Sequence, residues 1–259
     1  MPEGDVLRRT AFRLDQALAG RRLLVADLRW PNVAGVDLTG RTVLGTAPYG
    51  KHLLTRLDDG RTLHTHLRMD GLWRIERTGP AADTESRSAR VRVVLGADTW
   101  TALGLLLGMV DVVATRDEAR LVGHLGPDLL AEPFDVTEAV RRWAARGSTP
   151  VAEVLLDQRV VAGIGTIYSA ESLFVHRLWP WTPADEVTDP ARLLATARRL
   201  MQRSVVAGPQ PTKVHGRLRA PCRRCGTPVV VGQARRPPME RPVFYCPRCQ
   251  AAPRPSAPR

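Results

Sequence analysis

The sequence predicts an α+β chain of several domains, and three observations carry that prediction. Between residues 21 and 118, short apolar or β-branched pieces alternate with turn signals, the pattern of a β-sandwich. From about residue 119 to 212 the apolar residues take up helical spacing instead. All four cysteines lie between 222 and 249, in two Cys-x2-Cys pairs. The expected domains are therefore 1–118, 119–212 and 213–250, with a disordered tail over 251–259.

The first segment departs from the strand pattern. Val6, Leu7, Leu14, Ala17 and Leu18 fit one face of a helix that begins near Asp5 and stops at Gly20. Pro2, Glu3 and Gly4 stand before it. A Met1-Pro2 start is one that an aminopeptidase trims, and trimming exposes the secondary amine of Pro2. An α-amine has a pKa of about 8, against about 10.4 for lysine, so roughly a tenth of it is unprotonated near neutral pH. Such an amine attacks an aldehyde-like carbon to form a Schiff base. A helix starting just behind it presents its positive end and lowers that pKa further. Glu3 supplies an acid or base next door, and Gly4 lets another molecule come close. The plain alternative is a frayed chain end.

The strands follow in order. Leu23-Leu24-Val25, Thr42-Val43-Leu44 and His52-Leu53-Leu54 are short β-type pieces. Asp59-Gly60 reads as a hairpin turn between Leu53 and His66. Leu72-Trp73-Arg74-Ile75 and Val91-Arg92-Val93-Val94 continue the pattern, and the polar stretch 79–88 reads as a mobile loop. The helices come next, over 135–146, 149–156, 167–175 and 189–206. Val160-Val161-Ala162-Gly163-Ile164-Gly165 is a tight turn between two of them. Such a turn can aim backbone N–H groups at a phosphate; equally, its glycines can simply let two helices pack closely.

The charge is uneven. The net charge is +12, with 36 arginines and only two lysines, Lys51 and Lys213. Residues 213–259 carry eleven Lys/Arg against one acid, Glu240, leaving only +2 for the rest. A polyanion is the expected partner, gripped chiefly by the C-terminal part. The first residues include Asp and Glu without an apolar core, so no signal peptide is expected. The longest apolar run, near 102–110, is too short to cross a bilayer. A soluble, cytoplasmic, nucleoid-associated protein is expected.

Cys222-x2-Cys225 and Cys246-x2-Cys249, twenty residues apart, have the spacing of a four-thiolate zinc site, with a disulfide pairing as the alternative. Val229-Val230-Val231 and Val243-Phe244-Tyr245 would form a two-stranded ribbon around it. With no open ligand position in the pattern, one structural zinc ion is expected. Arg235, Arg236 and Arg241 lie on this ribbon. One of them is expected to meet phosphate, and the alternative is a solvated arginine.

Taken together these motifs resemble the Fpg/Nei family of DNA glycosylases. The resemblance rests on Pro2-Glu3-Gly4, Gly50-Lys51-His52-Leu53-Leu54 and His66-Leu67-Arg68-Met69-Asp70-Gly71-Leu72-Trp73. It continues through Leu125-Gly126-Pro127-Asp128, Leu155-Leu156-Asp157-Gln158, Gly163-Ile164-Gly165-Thr166-Ile167-Tyr168 and Glu171-Ser172-Leu173, and ends with His215-Gly216-Arg217 and the cysteine ribbon. It implies an N-terminal β-sandwich carrying a catalytic helix, a helix-two-turn-helix domain and a zinc ribbon, with damaged double-stranded DNA as partner and a monomer as the working form. It implies Pro2 as Schiff-base nucleophile, Glu3 as acid and proton shuttle, and strand cleavage by β- and then δ-elimination. Lys51 would contact the phosphate beside the lesion, and Met69 would fill the gap left by the extruded nucleotide. Gly165 and Thr166 would hold backbone phosphate at the helix-two-turn-helix, and Arg241 would grip phosphate from the ribbon.

Thr166 is a departure, because the family usually has asparagine there; a hydroxyl offers one donor on a shorter arm. Pro150-Val151-Ala152 also lacks the lysine many relatives place before Leu155. Pro-Glu-Gly resembles the endonuclease VIII branch, and the link between Gln202 and Lys213 is short, so oxidised pyrimidines are the expected substrates. Alternatives are a purine-directed glycosylase (8-oxoguanine or formamidopyrimidine), a non-catalytic damaged-DNA binder on the same scaffold, and a zinc-ribbon transcription or RNA factor.

Overall fold

The structure is a computed structural model that describes residues 2–235 and 238–252. Arg236 and residues 253–259 of the expected 251–259 tail lie outside the described residues. The chain forms two compact units, Met1–His124 and Leu125–Arg259.

In the first unit, α1 (Gly4–Leu18) buries Leu7, Ala11, Leu14, Ala17 and Leu18, the face its periodicity predicts. It packs on strands of two antiparallel sheets. One sheet has the order β1-β6-β7-β5, with β1 Val25–Leu28, β5 Leu72–Arg77, β6 Val91–Gly96 and β7 Trp100–Leu105. The other has the order β2-β3-β4-β8, with β2 Val43–Tyr49, β3 His52–Leu57, β4 Arg61–His66 and β8 Met109–Ala114. Leu53, Leu57, Leu63 and Val110 from the second sheet meet Trp73, Val93, Leu95 and Ala102 from the first in one core, so the unit is a β-sandwich. Thr46 N donates to the Asp15 carboxylate at 2.9 Å and ties α1 to β2.

The stretch 79–88 is not the loop its polarity suggests. It forms α2 (Pro80–Ser86), with proline in the first turn, Ala82 buried and Arg74 paired to Glu85 at 3.0 Å. Arg29 Nη1 also donates to Ser86 O at 2.6 Å, and composition hides all of these contacts. The apolar run near 102–110 is the end of β7, a turn at Leu106-Leu107-Gly108 and the start of β8. The first unit also extends past the expected break at 118. Glu118 accepts from Arg56 at 2.8 and 2.7 Å and from Thr62 at 2.6 Å, which pins the segment leading into α3 (Ala119–Val122) to β3 and β4.

The second unit holds α4 (Val136–Ala144), α5 (Val151–Leu156), α6 (Thr166–His176) and α7 (Pro190–Ala207), around a core that includes Trp143, Leu155, Ile164, Leu173, Leu194 and Met201. Asp135 and Asp189 cap α4 and α7 by accepting from Glu138 N and Arg192 N. The ribbon, β9 (Val230–Gln233) paired with β10 (Pro242–Tyr245), belongs to this unit and is not a separate body. Ala170 and Phe174 of α6 share a core with Val214, Cys222, Val229 and Cys246. Trp181 lies over Gly232, where an added Cβ would meet the indole at 2.5 Å, and its Nε1 donates to Gln233 O at 3.0 Å. Among the described residues no helix is long and apolar enough to cross a membrane.

Candidate functional site

The expected site residues fall into both units. In the first, Glu3 is the N-cap of α1: its carbonyl accepts from Val6 N and Leu7 N, and its side chain is buried (1% exposed). Pro2 precedes it and is half-buried. A carboxylate kept from water at the positive end of a helix is where an acid–base group gains most from its surroundings.

Lys51 sits in the two-residue turn closing β2 on β3, where Tyr49 pairs with His52. Gly50 takes φ 56° at the first central position, which a type II′ turn gives to glycine. The turn thus lifts one lysine off the end of a rigid hairpin. Behind it lie residues to which sequence reasoning assigned no role. The His52 and His64 rings stack at 5.1 Å with Nδ1 of His52 2.8 Å from Nε2 of His64, and His64 Nδ1 lies 3.1 Å from Asp111 Oδ2. His66 meets His52 edge-on at 4.8 Å and accepts from Arg68 N through Nδ1 at 2.9 Å.

Burial holds these rings neutral. It pushes His52 down to about 3, helped by His66, His64, His124 and Lys51 nearby, and pushes His66 down to about 4. His64 is lowered by burial too, although Asp111 pulls it the other way. Met69 is 59% exposed on the loop after β4. Arg68 before it takes φ 53°, and Gly71 N closes the loop on Leu67 O at 2.9 Å.

In the second unit the 157–165 turn is braced by Gln158. Its amide donates to Leu156 O and Ile164 O at 3.2 and 2.9 Å and accepts from Gly163 N at 3.0 Å. Gly163 takes φ 105°, a conformation open to glycine. Gly126 lies against the backbone of Val160 and Val161, too close for a Cβ, while Ala162 N donates to Pro127 O. The Leu-Gly-Pro-Asp motif is therefore the floor of this turn. Gly165 is the N-cap of α6 and makes no side-chain cap, so the turn ends at the positive end of that helix. Thr166 is buried, and its Oγ1 is 3.4 Å from His215 Nε2. His215 in turn sets its edge on Phe244 of the ribbon at 5.1 Å.

Glu171, whose role sequence reasoning also missed, is a buried carboxylate that accepts from Lys213 N, Val214 N and His215 N at 2.9–3.0 Å. It fixes the link entering the ribbon. No local pattern announces such a pairing across some forty residues. Arg241 stands at the foot of β10, with Nη1 donating to Glu240 O at 2.8 Å and its carbonyl accepting from Ala234 N.

The four cysteine sulfurs lie within 4.8 Å of one another, none in a disulfide. Cys222 and Cys249 are 4.0 Å apart, and Cys225 and Cys246 are 3.5 Å apart. Four thiolates bound tetrahedrally at about 2.3 Å would be about 3.8 Å apart, so the set fits a metal ion. Arg224 N and Cys249 N each point at a sulfur at 3.4 Å, as metal knuckles require.

Comparisons with known proteins agree on both units. Residues 1–104 match the model of the formamidopyrimidine-DNA glycosylase N-terminal domain, and residues 125–215 match that of the formamidopyrimidine-DNA glycosylase H2TH domain. The chain is 43% identical to a probable endonuclease 8 2 of Streptomyces coelicolor, covering 98% of this chain and 96% of that one. It is 36% identical to the DNA-(apurinic or apyrimidinic site) lyase Nei2 of Mycolicibacterium smegmatis, over 97% of this chain and all of that one. Among solved structures, Lactococcus lactis formamidopyrimidine-DNA glycosylase bound to DNA with an abasic site shares the fold, with TM-score 0.81 and 21% identity over 96% of this chain and 100% of that one.

Proposed function

Because the chain belongs to the formamidopyrimidine-DNA glycosylase/endonuclease 8 family, we propose that it removes oxidised bases from double-stranded DNA and cuts the strand at the abasic site, with Pro2 as nucleophile. The chain is a DNA glycosylase/AP lyase of base excision repair. The observation that carries the residue assignment is Glu3: a buried carboxylate on the N-cap residue of α1, next to Pro2.

The chemistry runs as follows. The Pro2 nitrogen bonds to C1′ of the damaged nucleoside while the base departs with its electron pair and takes up a proton. Glu3 protonates the sugar ring oxygen, the ring opens, and a Pro2 iminium remains. The iminium acidifies the C2′ proton, whose removal expels the 3′ phosphate; a second elimination expels the 5′ phosphate. Hydrolysis of the imine frees Pro2. Extruding the nucleotide costs a few kcal/mol, which Met69 offsets by occupying the gap. Lys51, the α6 N-terminus at Gly165 and Thr166, and Arg241 hold backbone phosphates. Zinc is the proposed ion for Cys222, Cys225, Cys246 and Cys249, where it makes the ribbon fold and takes no part in the reaction.

Oxidised pyrimidines are the proposed substrates. The more similar relatives carry endonuclease 8 names, and the link from Ala207 to Lys213 leaves no long loop to cover a purine. A monomer in the nucleoid-bearing cytoplasm is the proposed setting. The test is borohydride trapping with abasic-site and thymine-glycol duplexes. A covalent adduct with the mature protein, lost in Pro2→Ala, is expected; no adduct would mean a binder without chemistry. A panel of single-lesion duplexes then separates pyrimidine from 8-oxoguanine preference.

A further inference from the structure

The outer face of the β2-β3-β4-β8 sheet gathers His52, His64, His66 and Asp111 at the end that carries the Lys51 turn and the Met69 loop. His52 pairs with His66 across β3 and β4, and His64 pairs with Asp111 across β4 and β8. These four side chains share one face because successive residues of a strand alternate. The opposite face carries Leu53, Leu63 and Val110 into the core, so the histidines are not there to fill it.

The hydrogen bonds fix the protons. A carboxylate only accepts, so His64 donates through Nδ1 to Asp111. A neutral His64 then has a bare Nε2, and His52 must donate to it through Nδ1. His66 accepts from Arg68 N through Nδ1, so its own proton is on Nε2. His66 O also accepts from Gly108 N at 2.9 Å. One ring therefore adjoins the Lys51 turn, one adjoins the Met69 loop, the two touch edge to face, and a single carboxylate on β8 anchors the chain of bonds.

We propose that Asp111 and His64, acting through His52 and His66, are positioning residues that lock the Lys51 turn and the Met69 loop into one fixed spacing for DNA. Neither touches DNA. The array holds the backbone on each side of a flexible charged residue and of an exposed apolar one, where a small misplacement would cost binding. Its three imidazoles stay neutral, so they add no competing positive charge beside Lys51.

The inference rests on the reading of Lys51 and Met69 as DNA contacts, and the experiment keeps the two separable. Long-range 15N–1H spectra of the wild type are expected to show His64 and His52 protonated on Nδ1 and His66 on Nε2. In Asp111→Asn the His64 proton is expected to move to Nε2, which forces His52 to exchange its own. This readout needs no activity, and a wild-type His64 protonated on Nε2 overturns the proposal. On abasic-site duplex, Asp111→Asn is expected to raise KM about tenfold, below the roughly hundredfold that a 1 Å misplacement can cost, with kcat near wild type. His52→Asn, which keeps a donor where Nδ1 sits, is expected to lie much closer to wild type than His52→Leu. Unchanged KM in Asp111→Asn and His52→Leu with an active wild type overturns the proposal. A wild type that neither cleaves nor traps, yet shows the expected tautomers, leaves the array standing and removes the enzymatic reading.

Discussion

The Lys51 hairpin and the turn at 163–165 are both tight and both depend on a glycine, yet they are built by opposite means. The first projects one side-chain charge from a sheet edge and is backed by imidazoles belonging to other strands. The second presents the positive end of α6 and is braced by a residue five positions upstream of Gly163, Gln158. A point charge on a flexible stem needs its base held from outside. An array of backbone dipoles is already fixed once its turn closes. Distant contacts therefore support the lysine, and local ones support the turn.

The largest expected effect falls on the unit that holds the turn. Cys246→Ser, or chelation, is expected to remove on the order of 10 kcal/mol of metal-linked folding energy from the ribbon. Metal analysis and hydrogen exchange over 222–250 would report it, while β3 and β4 keep their protection.

Acid is expected to act on the other unit. The folded-state pKa values of His52 and His66 lie below the usual value of about 6.5, at about 3 and about 4. Their contribution is complete above about pH 6.5 and is lost as pH falls toward those folded values, because the unfolded chain takes up protons first. Thermal melts from pH 7.5 to 4 should show the sandwich weakening, and His52→Leu should flatten that dependence.

Smaller effects sharpen the contrast between side-chain and backbone recognition. Gln158→Ala removes three hydrogen bonds and is expected to lower stability by about 2 kcal/mol, read by denaturant unfolding. Lys51→Ala and Arg241→Ala are each expected to reduce the salt slope of duplex binding by about one. Thr166→Asn carries no charge, so the slope should stay constant while affinity rises by about threefold, one hydrogen bond's worth. A changed slope in Thr166→Asn would erase the distinction between the two turns.

What the sequence disclosed follows from range. The cysteine spacing, the Asp59-Gly60 hairpin and the helix starts near Asp135 and Asp189 are local signals, and each appears in the structure where expected. The helix at 80–86 was hidden because its single buried residue, Ala82, sits among polar ones. His64 and Glu171 were silent for a different reason. His64 acquires meaning only when strand register sets it opposite Asp111, 47 positions away, and Glu171 only when residues 213–215 fold back onto α6. The motif containing Lys51 and His52 was visible, but not the division of labour between them.

Trp181 over Gly232 bears on how this protein could be re-engineered. The metal-binding appendage looks like a cassette that could be exchanged among relatives with different affinities. Yet the helical body meets it through an indole that tolerates no side chain beneath it. A donor segment would have to bring a glycine at that spot, and a chimera assembled on cysteine spacing alone would fail at the seam while every ligand was intact.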